Sequence, residues 1–153
     1  MRCLAGVAIA LAALTGACSG SNTTSPTTGT SNQTMTALID GSSWTAVTVT
    51  ASRSSDLISI TGSDASTPNR TIALSLVGSS IGTYTTSTGS SNEELSISPG
   101  QWTANVLGGS GTITLTDLTT TGATGTFSFT AVTANAAATG THAVTSGAFN
   151  VTF

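Results

Sequence analysis

The stretch Gly111-Thr112-Ile113-Thr114-Leu115-Thr116, followed by Thr126-Phe127-Ser128-Phe129-Thr130, decides the fold class. Apolar residues occupy every second position, and threonine or serine fills the places between. A period of two sends successive side chains to opposite faces of an extended strand, whereas an amphipathic helix repeats every 3.6 residues. One face is therefore apolar and the other hydroxylated, as in antiparallel sheets with one wetted side. Threonine suits the wetted face because its β-branch stiffens an extended backbone.

The same alternation appears outward from there, at Ile72, Leu74 and Leu76 and again at Phe149, Val151 and Phe153. Turn residues punctuate the runs at short intervals. Asp40-Gly41 predicts a hairpin between residues 35–39 and 44–51. Residues 63–69 separate strands at 57–61 and 70–77. Ser98-Pro99-Gly100 precedes a strand at 101–106, Gly108 to Gly111 one at 112–118, and Thr121-Gly122-Ala123 one at 126–132. Ala134 to Ala138 reads as a loop or a single turn. The expectation is an all-β domain over residues 34–153, an antiparallel β-sandwich or small open barrel of roughly nine or ten short strands. Its expected core takes Ile39, Trp44, Val47, Val49, Ile58, Ile60, Ile72, Leu74, Leu76, Leu95 and Ile97 from the first part. Trp102, Val106, Ile113, Leu115, Phe127, Phe129, Phe149 and Val151 complete it.

Ahead of this domain, residues 1–17 have the parts of an export signal. Met1-Arg2 is a positive start, residues 4–14 form an apolar helix-length run, and Thr15-Gly16-Ala17 are small. The run is too short to span a bilayer, which takes roughly 20 residues. Leu14-Thr15-Gly16-Ala17-Cys18 resembles the lipobox of bacterial lipoproteins, although Leu14 stands one place further from the cysteine than usual. The resemblance implies cleavage between Ala17 and Cys18 and acylation of Cys18 with diacylglycerol and a fatty acid such as palmitate. Two or more acyl chains give a durable anchor where one gives marginal binding. The competing reading is an ordinary secretory cut after Ala17. Cys3 leaves with the signal, so no disulfide is possible in the mature chain. Ser19 replaces the aspartate that commonly marks inner-membrane retention, which by resemblance points to the outer membrane. Residues 19–33 hold no apolar residue and read as a disordered tether spanning roughly 20–25 Å.

Composition narrows the function classes. Lysine is absent, and the mature chain sets Arg53 and Arg70 against Asp40, Asp56, Asp64, Glu93, Glu94 and Asp117. Without a basic patch to neutralise phosphates, nucleic-acid binding is excluded. Solubility must come from hydroxyl hydration. A monomer is expected.

The order of five landmarks is similar to that in a family of small bacterial lipoproteins carrying a domain of unknown function. They are Ile39-Asp40-Gly41-Ser42-Ser43-Trp44, Gly82-Thr83-Tyr84, Gly109-Ser110-Gly111-Thr112-Ile113-Thr114, Gly125-Thr126-Phe127-Ser128-Phe129 and Gly147-Ala148-Phe149-Asn150-Val151-Thr152-Phe153. The resemblance implies an exported β-sandwich-like domain and no catalytic residues.

Few side chains offer chemistry. Gly78-Ser79-Ser80-Ile81-Gly82 fits the nucleophile-elbow pattern, with Asp117 and His142 following in hydrolase order. An elbow needs a strand-to-helix turn, however, and strand-like residues flank this one. A loop is the simpler reading. His142 is the single histidine and reads as a solvated loop residue, so no zinc site is expected. Glu93-Glu94, Asp64 and Asp56 lack calcium-loop spacing and read as solvated turn carboxylates. No cofactor is expected. Tyr84 and Trp102 are the candidate ligand-platform or rim aromatics. Phe149, Val151 and Phe153 resemble the closing strand of an outer-membrane barrel, but such barrels need strands of roughly 9–11 residues and aromatic girdles. The expected function is a non-catalytic, lipid-anchored envelope domain with a structural, adhesive or ligand-presenting role. The alternatives are a carrier of a small apolar ligand in a barrel cavity and, more weakly, a serine hydrolase acting through Ser80.

Overall fold

Asp40 and Gly41 both take positive φ, 49° and 80°, as a two-residue type I′ hairpin turn requires. The residues on either side pair as β1 (Thr34–Ile39) and β2 (Ser42–Thr45), with Trp44 opposite Ala37. This is a computed structural model describing residues 32–153. The expected signal, the lipobox-like segment and all but the end of the expected tether lie outside the described residues.

The chain continues through β3 (Thr48–Ser54), β4 (Leu57–Ser63), β5 (Arg70–Val77) and β6 (Gly82–Thr85), then a 3-10 turn at Thr86–Thr88. It finishes with β7 (Ser91–Ile97), β8 (Gly100–Ala104), β9 (Ser110–Leu118), β10 (Gly122–Thr133) and β11 (Thr141–Thr152). The strand order is β2-β1-β11-β10-β8-β7-β5-β4-β3, with β9 on β10 and β6 on β9. Every pairing is antiparallel. The result is a curled antiparallel sheet, half barrel and half sandwich, of the class that the period-two pattern predicts.

Two corners produce the curl. At the first, Ala46 N–H donates to Met35 O at 3.0 Å and Val47 N–H to Ser63 O at 2.8 Å. The chain thereby leaves β1 and takes up β4 within one step, bringing the two ends of the strand order together. At the second corner β10 holds β9 along residues 123–130 and β8 through Val132 and Thr133. In β11 an extra residue is accommodated between Val144 and Gly147 against β10 and between Thr145 and Ala148 against β1, and Ser146 has φ 52°. Such a bulge sharpens local twist and bends the strand.

Met35, Trp44, Ile58, Ile60, Ile72, Leu74, Leu76, Leu95, Ile113 and Leu115 are all buried, as are Phe127, Phe129, Phe149 and Val151. Two residues expected in this core are exposed instead, Val47 and Val106. Val47 stands at the first corner, where the expected single strand 44–51 breaks into β2 and β3 and the alternation loses phase. Val106 lies past the end of β8, in a turn where Asn105 and Gly108 bridge. Val49 and Ile97 are only partly buried. β10 and β11 run twelve residues each, longer than expected. The outward positions of β10 carry Thr124, Thr126, Ser128 and Thr130, the reverse of a lipid-facing barrel wall.

Candidate functional site

The curl of β9, β10 and β11 beneath the 3-10 turn forms an open cleft of about 390 Å3. Its wall is a row of hydroxyls set by strand register. Thr85 of β6 lies opposite Thr112 of β9, and Thr112 lies opposite Ser128 of β10. Thr112 Oγ1 and Ser128 Oγ share a hydrogen bond at 3.3 Å, and Thr130 and Thr145 extend the wall. Phe129 and Val144, both buried in the core, back the cleft floor. The 3-10 turn is fixed over the cleft because Gly111 N–H donates to Thr86 Oγ1 at 3.0 Å.

A carboxyl group lies behind this wall. Glu93 on β7 sits between Leu74 of β5 and Ala104 of β8, and its exposure is 0%. A Cβ on Gly111 would press on the Glu93 carboxyl and on Phe129 Cβ, so the glycine on β9 gives the carboxyl its present place. Neither carboxyl oxygen has a hydrogen-bond partner, and neither has the Ser91 hydroxyl. Burial pushes the Glu93 pKa up to about 7, and proximity to Ser91 and to its own N–H offsets this only in part. The expectation of a solvated turn carboxylate is corrected here. Glu93 follows the inward parity of Leu95 on a strand, and strand parity outweighs charge.

Asp64 was also expected to be solvated and is instead buried. Burial works against its charge, but Ser66 and Arg70 outweigh that and hold the pKa below the usual aspartate value. Arg70 Nε donates to Asp64 Oδ2 at 2.7 Å and Arg70 N–H to Oδ1 at 2.9 Å, closing the β4–β5 loop. Asp56 stays exposed in the β3–β4 turn, and Glu94 is partly exposed on β7. No group of three metal-ligating side chains forms among the described residues.

His142 is not in a solvated loop. It stands on β11, with Nδ1 2.5 Å from Asp40 Oδ2 and its ring edge-on to Trp102 at 4.3 Å. Asp40 Oδ1 also accepts Ala143 N–H at 2.9 Å. Desolvation is offset by these bonds, and the Asp40 pKa is lowered. Ser80, Asp117 and His142 do not converge. Asp117 is level with Thr124 on β10 and His142 with Ala131, seven residues and about 23 Å along the strand.

The two candidate aromatics are separate. Trp102 is buried, and its indole N–H donates to Thr139 O at 3.3 Å. Tyr84 packs over Gly78, and its hydroxyl donates to Ser80 O at 2.5 Å, pinning the loop before β6. The sequence reading missed the hydroxyl cleft because it depends on which strands are neighbours. No curated protein and no solved structure matches the chain. Residues 31–151 match the family described as a domain of unknown function, DUF6252, and the chain belongs to that family.

Proposed function

We propose that the protein is a lipid-anchored cell-envelope domain with a non-catalytic binding role, holding a neutral, hydroxyl-rich ligand such as an envelope glycan in the cleft of β9, β10 and β11. The lipobox-like Cys18 and the signal ahead of it support the anchor, and Ser19 favours the outer membrane. The hydroxyl row of Thr112, Ser128, Thr130 and Thr145 carries the binding reading. These side chains both donate and accept hydrogen bonds, and the cleft wall presents no charged side chain, which suits a neutral ligand.

Saturation-transfer NMR on the exported Cys18→Ala chain with neutral oligosaccharides tests this. Transfer to sugar protons is expected, reduced at least about tenfold in affinity by joint Thr112→Val and Thr130→Val changes, since each lost hydrogen bond is worth about 1 kcal/mol. Binding that ignores both substitutions, or sugar cleavage by the chain, would reject the reading.

A further inference from the structure

One end of the curled sheet gathers features that the cleft does not use. Thr34, where β1 starts, is level with Asn150, Thr124 and Asp117 across β11, β10 and β9. The chain arriving from Cys18 therefore joins the domain at this end. The loop before β6 and the β9–β10 turn belong to the same end. So does the β3–β4 turn, because Arg53 Nη1 donates to Thr119 O at 3.0 Å.

Three apolar side chains project there into solvent. Leu57 and Val77 are cross-strand neighbours, 45% and 57% exposed, and Ile81 follows at 64%. Ile81 is held outward by a fixed loop, since Tyr84 clamps Ser80 O and Gly78 N–H donates to Asp56 O at 2.7 Å. Arg53 lines an open hollow with Ser55, Thr120 and Phe153. Among the described residues it has no carboxylate partner, whereas Arg70 is committed to Asp64 at the other end of β4 and β5.

We propose that this end, through Leu57, Val77, Ile81 and Arg53, rests in the headgroup layer of the bilayer that holds the Cys18 anchor. The proposal rests on the anchored reading above. Sixteen residues from Cys18 to Thr34 reach at most about 55 Å when extended, so the anchor keeps the domain within that distance of the surface and attaches to the domain through Thr34. Apolar side chains enter the headgroup–acyl boundary while a guanidinium meets lipid phosphate. Asp56 and Asp117 share the rim, so zwitterionic lipid suits it better than anionic lipid.

The test uses the exported, acylated full chain in phosphatidylethanolamine–phosphatidylcholine vesicles. Acylation blocks Cys18 and cleavage removes Cys3, so Ile81→Cys or Asn135→Cys gives one labelling site, at the near and far ends. Brominated lipid is expected to quench a fluorophore at position 81 at least about twofold more than one at 135. Adding Leu57→Asp and Val77→Asp to the Ile81→Cys chain brings its quenching down to the level at 135, with the protein still pelleting with the vesicles. Equal quenching at 81 and 135 in an acylated, pelleting protein overturns this surface alone. A chain that neither takes up labelled palmitate nor pellets overturns the anchor, and this surface with it.

Discussion

Glu93 sets how the molecule responds to pH. Unfolded, it ionises near the ordinary glutamate value. Folded, it keeps its proton up to about 7. Between those values the native state binds more protons than the unfolded state, so stability falls as pH rises and levels off above about 7. The shift corresponds to roughly 3–4 kcal/mol at most. Glu93→Leu removes the ionisable group while keeping most of its volume. Urea denaturation at pH 5 and pH 8 should show the parent less stable at pH 8 and the variant nearly indifferent. A parent equally stable at both values would refute this account. Asp40 and Asp64 work in the other direction. Their lowered pKa values add stability above the ordinary aspartate range, and it is lost as pH falls. The parity that buries Glu93 was legible from Leu95 and Ile97, but nothing in the sequence showed that Gly111 would leave room for the acid.

At the level of strands, β10 and β11 are joined by two reciprocal contacts. Phe127 lies over its partner Gly147 and Phe149 over its partner Gly125, with Cβ positions on both glycines 2.6 Å from ring carbons. Gly147→Ala should therefore push the Phe127 ring off its seat at a cost of about 1–3 kcal/mol, read as a lower Tm with unchanged far-ultraviolet circular dichroism. An unaltered Tm would mean that the rings move freely. The outer part of β11 was legible, because Phe149 and Val151 alternate cleanly. Val144 was missed because the bulge at 145–146 shifts the phase between inward residues 144 and 147. The corner at Ala46-Val47 likewise divides one expected strand, 44–51, into β2 and β3. Periodicity reports a strand's two faces and is silent about a residue inserted between two in-phase runs.

For the whole molecule, the sequence showed the antiparallel β class, a sandwich or a small open barrel, but not where the sheet curls, because curl comes from corners and neighbours far apart in the chain. The cleft inherited that illegibility, as its hydroxyls come from four separate strands. β1 is the clearest case. It lies between β2 and the final strand, with Thr34 opposite Asn150 and Ile39 opposite Val144. Removing residues 141–153 should therefore abolish cooperative unfolding of the entire domain. A truncated chain that still melted in one sharp transition would contradict this. Pairings of such separation also belong to chains that fold in milliseconds to seconds. The first strand thus acts as a clock. The domain stays open until residues 141–152 are made and can close against β1.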